Sequence, residues 1–231
     1  MIRENLIEIE KNIQAACDRV GRDRGEITLI AVSKTKPVDM IEEALSYGIT
    51  SFGENKVQEL TAKYELLNDK EINWHLIGHL QTNKVKYIVD KVELIHSVDS
   101  LKLAYEIEKE AKKKNVICNI LIEVNIANED TKYGVKADEA LNLIEDIAEL
   151  SHIRVKGLMT IAPFVEEAEK NREHFRKLRQ LLIDIKSKNI DNVYMDILSM
   201  GMTGDYCIAI EEGATLVRVG TGVFGEREYN I

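Results

Sequence analysis

The sequence predicts an α/β fold: a single (β/α)8 TIM barrel with one extra helix at its N-terminus. Three observations carry the prediction. Short apolar runs alternate with helical stretches from Ile27 onwards, and strict alternation of strand and helix implies a parallel sheet. Eight such units in roughly 200 residues fit a closed barrel near the small end of its size range. No Gly-x-Gly-x-x-Gly turn follows the first strand, where an open dinucleotide-binding sheet would need one.

The elements follow in order. Leu6, Ile9, Ile13, Ala16 and Val20 recur at spacings of three and four, an apolar helix stripe within residues 2–21. Gly21 suits the helix stop. The first strand, Ile27–Ser33, carries the apolar run Leu29–Val32, which reads as buried on both faces. Pro37 opens a helix that ends at Gly48. Strands are then expected at Ile49–Phe52, Asn73–Ile77, Val92–His96, Val116–Asn125, Arg154–Met159, Val193–Ser199 and Thr215–Val219. The helices between them are expected at Asn55–Leu67, Lys84–Asp90, Ser100–Lys114, Ala137–Leu150, Val165–Lys188 and Gly204–Glu211. One domain is expected over residues 1–231, with 1–26 as a helical extension and 27–231 as the barrel.

Composition narrows the function. The net charge of −9 leaves no basic surplus for nucleic acid or an acidic membrane, so any anion site must be local. Three cysteines without a CxxC pair argue against a zinc site or a disulfide framework and fit a reducing cytoplasm. The first residues mix acids and bases, unlike a signal peptide. No apolar run approaches a membrane span. His, Asp and Glu do not cluster at ligand spacing, so no metal site is expected.

In a barrel, chemistry gathers where strands end. The first strand ends in Lys34, with Lys36 two residues on. A partly desolvated lysine amine has a lowered pKa and becomes a nucleophile. Lys34 and Lys36 share a parity, so alternation alone does not choose between them. Lys34 lies nearer the strand, and Lys36 is expected to be wetter. The loops after strands seven and eight carry Ser199-Met200-Gly201-Met202-Thr203-Gly204 and Gly220-Thr221-Gly222. Glycine lets backbone N–H groups approach an anion, and these two loops are the recurrent phosphate site of the fold. Arg218 interrupts the apolar last strand and must find a partner. It is either a structural ion pair with Glu123 or Asp196, or a donor to a ligand about 7 Å below the phosphate loop. A mouth lysine with a phosphate site is the pattern of a Schiff-base enzyme, either a phosphosugar aldolase or a holder of pyridoxal phosphate. Met159, Met200 and Met202 are expected to pack at the pocket rim.

The segments AVSKTKP, FGENKVQE, WHLIGHLQTNK, IEVNIANEDTKYG, GLMTIAP and LSMGMTGDYCIAIEEGATLVRVGTGVFGER occur in this order between about Ile27 and Arg227. Together they resemble the YggS/PROSC family of pyridoxal phosphate homeostasis proteins. The resemblance implies the fold type III barrel of the alanine racemase N-terminal domain, with pyridoxal 5'-phosphate (PLP) as cofactor. It further implies an aldimine on Lys34, a phosphate held by Ser199, Gly201, Gly220 and Thr221, Arg218 at the pyridine nitrogen and Asn55 near the ring. An arginine there disfavours ring protonation and makes the ring a poorer electron sink. The chain also has no length for the second domain that carries the other acid/base group of alanine racemase. The expected function is therefore a cytoplasmic, non-catalytic PLP carrier that buffers or delivers the cofactor, with apo PLP-dependent enzymes as partners and a monomeric state. A PLP-dependent amino-acid racemase, drawing on Lys36, Tyr133 or His79, and a Schiff-base aldolase are the alternatives.

Overall fold

Eight parallel strands close on one another in sequence order. The computed structural model describes residues 1–129 and 131–226, so the last five residues of the expected barrel domain lie outside the described residues. The strands are β1 Thr28–Val32, β2 Ser51–Glu54, β3 Asn73–Leu76, β4 Leu94–Val98, β5 Cys118–Glu123, β6 Ile153–Met159, β7 Val193–Met202 and β8 Leu216–Val219. The helices are α1 Ile2–Val20, α2 Val38–Ser46, α3 Val57–Leu66, α4 Leu101–Lys114, α5 Ala140–Ala148, α6 Arg172–Lys186, α7 Tyr206–Glu211 and α8 Thr221–Phe224. Pairing of β8 with β1, Ile30 beside Arg218, closes the barrel.

Helix α1 buries Ile2, Leu6, Ile9, Ile13, Ala16 and Cys17. Its Asn5 side chain donates to the carbonyl of Val223, 2.9 Å away, which ties α1 to α8. Gly21 takes the left-handed conformation expected of a helix stop. Val20 is exposed, because the helix ends there and the apolar stripe stops at Cys17.

Three elements differ from expectation. Residues Thr82–Tyr87 form a 3-10 helix where a short α-helix at Lys84–Asp90 is expected, since the segment closes with i to i+3 bonds such as Ile88 N to Val85 O. Helix α6 starts at Arg172 rather than Val165. The chain before it closes with an i to i+3 bond, Lys170 N to Glu167 O, and this 3-10 turn at Ala168–Asn171 leads into α6. Strand β7 runs on to Met202, three residues past the expected end at Ser199, so Gly201 belongs to the strand and not to the loop.

Two apolar layers result. A large one fills the space between strands and helices, and a smaller one of Ile30, Leu94, Leu121, Met159 and Leu216 fills the barrel. The methionines therefore do not gather at the rim: Met159 is inside the barrel, Met200 is in the outer layer, and only Met202 is exposed. Gly157 marks a close strand approach. A Cβ there would sit 1.8 Å from the carbonyl oxygen of Ile197, at the point where the β6–β7 register shifts. His75, His96, Glu123, Ser199 and Arg218 are buried polar groups on the strands. Among the described residues, no helix is long and apolar enough to cross a membrane.

Candidate functional site

The C-terminal ends of β1 and β8 form one corner of the barrel mouth. Ile30 pairs with Arg218 and Ala31 with Val219, so the turn after β1 stands beside Gly220–Gly222. The approach is close: a Cβ on Gly220 would lie 3.4 Å from Val32 Cβ. From the other side the β7–α7 loop brings Thr203, whose hydroxyl lies 3.2 Å from that of Thr221 and 3.4 Å from the Gly222 N–H. Asp205 fixes this loop by accepting the Met202 N–H at 2.7 Å and the Asn171 amide at 2.8 Å. A Cβ on Gly222 would meet Val219 Cγ1 at 2.7 Å and Thr203 Cγ2 at 3.3 Å, so only glycine fits there. Two hydroxyls and the first backbone N–H groups of α8 thus share one small surface. That donor set suits an anion.

Lys34 lies in the turn after β1 and is half-buried. Both of its neighbours are clamped. The Ser33 carbonyl accepts from Lys63 Nζ at 2.7 Å, and the Ser33 hydroxyl donates to Glu54 Oε1 at 2.6 Å. The Thr35 N–H donates to Glu59 Oε1 at 2.5 Å, with Thr35 in the left-handed region at φ 64°. Lys63 bridges the two carboxylates, 2.8 Å from Glu54 and 2.7 Å from Glu59. Glu54 and Lys63 have side-chain exposures of only 0% and 8%. Burial raises the pKa of Glu54, and its bonds to Lys63 and Ser33 oppose that rise. This clamp goes unread in the sequence. Its one signal is the four-residue spacing of Glu59 and Lys63, which on a helix usually means a surface pair.

Lys36 has a different role from its neighbour. Its Nζ donates to the carbonyls of Phe224, Gly225 and Glu226 at 3.0–3.2 Å, which caps the end of α8. It is half-buried and engaged, not the wet residue the sequence suggests.

Arg218 is 4% exposed and lies inside the barrel. Its Nη1 donates to the Ser199 hydroxyl at 2.5 Å and its Nη2 to the Thr160 carbonyl at 2.8 Å. Burial lowers its pKa to about 10, opposed by Glu123 and then Asp205, so it stays charged at neutral pH. Asp196 is not its partner, because that carboxylate bonds Lys186 at 2.6 Å. Glu123 faces Arg218 electrostatically, and burial pushes its carboxyl up to about 7.

The other expected residues divide. Gly220 and Thr221 join Lys34 at the mouth. Ser199 is fully buried, with its hydroxyl between Arg218 and His96, so its side chain belongs beneath the anion surface. Gly201 has φ +90°, and a Cβ there would sit 2.5 Å from that of Ala209, so it is a packing glycine against α7. Asn55 is half-buried after β2. Its backbone lies under Gly78, where a Cβ would meet the Asn55 oxygen at 2.5 Å. His79 stacks on Tyr133, ring centroids 4.0 Å apart, and joins the loops that follow β3 and β5. Thr203 and Gly222 complete the anion surface and lie within segments the sequence already marks as glycine-rich.

Comparison with known proteins agrees with this architecture. The family model described as the alanine racemase N-terminal domain matches residues 5–228. The chain is 48% identical to the pyridoxal phosphate homeostasis protein of Aquifex aeolicus, covering 98% of each chain. The structure of PipY of Synechococcus elongatus with PLP bound superposes with a TM-score of 0.85 at 31% identity, covering 97% of this chain and all of that one. An alanine racemase of Clostridium difficile superposes with a TM-score of 0.74 at 15% identity. The match covers 99% of this chain and 57% of the racemase, and shows the shared barrel.

Proposed function

This chain belongs to the alanine racemase N-terminal domain family and, within it, to the pyridoxal phosphate homeostasis proteins, and from that premise we propose that it holds PLP through Lys34 as a carrier of the cofactor. One observation carries the reading: the clamped Lys34 turn and the Gly220–Thr221–Gly222 surface stand side by side, above a buried Arg218. When bound, PLP supplies an aldehyde to the lysine amine, a phosphate to the anion surface and a pyridine nitrogen to the arginine.

The residues divide the work. Thr203, Thr221 and the α8 backbone at Gly220–Gly222 hold the phosphate. Gly201 gives the β7 end the shape that brings Thr203 to it. Arg218, fixed by Ser199 and Thr160, donates to the ring nitrogen and keeps a proton off it. Asn55 flanks the ring. An unprotonated ring is a weak electron sink, which supports holding and delivery over catalysis. We place this activity in the cytoplasm, with a monomer serving apo PLP-dependent enzymes. The racemase alternative loses Lys36 as its second acid/base, because that ammonium is bonded to three carbonyls.

Borohydride reduction of the PLP-loaded protein, followed by peptide mapping, tests the assignment. The pyridoxyl group is expected on Lys34. Finding it on Lys36, or on no lysine, refutes the reading. Vigorous turnover of an amino acid that disappears in Lys34→Ala would replace the carrier by an enzyme.

A further inference from the structure

The barrel interior holds a line of polar side chains that cofactor binding alone does not explain. Arg218 on β8 donates to the Ser199 hydroxyl on β7. Ser199 Oγ lies 2.9 Å from Nδ1 of His96 on β4, and His96 Nε2 lies 3.0 Å from Nδ1 of His75 on β3. In an eight-stranded barrel β4 stands opposite β8 and β3 opposite β7, so the Ser199–His96 contact joins strands that are not neighbours and carries the line from the Arg218 wall across the lumen. His96 is fully buried and His75 is 4% exposed. His75 also lines a cavity of about 320 Å³ at the N-terminal end of the barrel, with Thr28, Ser51 and Asn73.

Donors and acceptors balance best in one direction. Arg218 has no lone pair to offer, so Ser199 Oγ accepts from it. The Ser199 hydrogen then needs an acceptor, and His96 Nδ1 is in place. His96 carries its proton on Nε2 and donates to His75 Nδ1, which leaves the His75 proton on Nε2. This order leaves a single unpaired group, His75 Nε2. Reversing it leaves two, the Ser199 hydrogen and the His75 Nε2 lone pair. Both imidazoles stay neutral, because burial lowers the pKa of His75 to about 4 and that of His96 well below its ordinary value.

We infer that His96 and His75 are positioning residues for Arg218, holding its guanidinium through a one-way chain of hydrogen bonds across the barrel. Ser199 alone could rotate its hydroxyl and turn a lone pair away. With His96 taking its hydrogen, it presents a fixed lone pair to Arg218. The contact that Arg218 makes with a ligand above it is therefore set from the far wall of the barrel. The functional half of this inference rests on the cofactor reading given above.

Two measurements test it, and the first needs no cofactor. In ¹⁵N-labelled protein at neutral pH, both histidines are expected as neutral Nε2–H tautomers. An Nδ1–H tautomer or an imidazolium at His96 overturns the chain direction. The second compares His96→Leu, which removes the acceptor, with His96→Asn, which restores one near the Nδ1 position. His96→Leu is expected to shift the absorbance maximum of bound PLP and to release it about fivefold to tenfold faster, the loss of one buried hydrogen bond. His96→Asn is expected to recover both. An unchanged spectrum and release rate in His96→Leu, or an Asn variant that behaves like Leu, refutes the positioning role. Should His96→Leu fail to fold, the tautomers of the unmodified protein still decide. Absence of a pyridoxyl–Lys34 peptide from unmodified protein would sink the cofactor reading while leaving the tautomer result standing.

Discussion

Replacing Lys63 by methionine tests the clamp around Lys34. Met has a similar length and apolar stem, so the change removes the charge and its donors with little lost volume. Glu54 then remains fully buried with only the Ser33 hydroxyl to hold it. Breaking a buried pair from one side costs about 3–5 kcal/mol, because it strands the remaining charge. Glu59 is half-buried and still reaches water, so its loss of Lys63 adds little. The expected destabilisation at pH 8 is therefore about 3–5 kcal/mol, measured by urea unfolding.

The sign of the pH dependence follows from Glu54. Burial already raises its pKa in the folded protein. An acid with a raised folded pKa contributes stability that is present below its unfolded pKa and is lost as pH rises through the folded one. Without Lys63 the folded pKa rises further. The deficit of Lys63→Met should thus be greatest at pH 8 and shrink as pH falls towards the unfolded carboxylate value, by up to about 1.4 kcal/mol per pH unit. Adding Glu54→Gln should recover much of the loss at pH 8, since it removes the stranded charge. PLP retention should fall in Lys63→Met even though Lys34 is intact, because the Ser33 carbonyl loses its donor. A loss below about 1 kcal/mol, or a double variant no better than the single one, would refute the buried-charge argument.

Other outcomes are open to the same kind of check. Glu123, with its carboxyl pushed up from 4.5 to about 7, should make wild-type stability decline as pH rises between those two values; thermal melts of Glu123→Gln should show a shallower slope there, and an equal slope would acquit Glu123. Gly201→Ala forces a Cβ into Ala209 at φ +90° and should cost about 1–3 kcal/mol by denaturant unfolding. Lys36→Met frees the end of α8 and should weaken inorganic phosphate binding by titration calorimetry while leaving the pyridoxyl group on Lys34. Gly222→Ala fills the space beside Thr203 and should weaken phosphate binding more than Gly204→Ala, where a Cβ meets nothing within 4 Å.

What could be read from the sequence follows from how local each signal is. That Lys34, Gly220 and Thr221 meet at one mouth is legible because each follows an apolar run, and in a barrel all such ends meet on one face. The fold is legible for the same reason: most strands carry their own apolar signal, β2 with its single Phe52 the least. Ser199 and Arg218 show only as polar residues in apolar strands, and a single strand cannot reveal what lies across the lumen. Their partners His96 and His75 are 103 and 21 positions away from the atoms they touch. The choice between structural and functional roles for Arg218 therefore could not be made from β8 alone. Lys63 misleads more thoroughly, since its spacing from Glu59 describes a surface pair, and only the packing of α3 against β2 makes it a buried one.

Those two networks, both hidden from the sequence, explain the division of labour in the site. The groups proposed to meet the cofactor sit on turns, where glycine and left-handed backbone permit close approach but provide little rigidity. Rigidity comes from below and behind. The Glu54–Lys63–Glu59 cluster anchors the Lys34 turn to β2 and α3, and the Ser199–His96–His75 line anchors Arg218 to the opposing wall. Under the proposed function each network fixes one end of the same ligand, and they share no residue. Perturbations in the two should therefore be additive in PLP release, whereas two perturbations within one network should not be. Pairing Lys63→Met with His96→Leu against Lys63→Met with Glu54→Gln distinguishes the cases. Strong coupling in the first pair would mean that the barrel mouth responds as one unit, and that the separation drawn here is wrong.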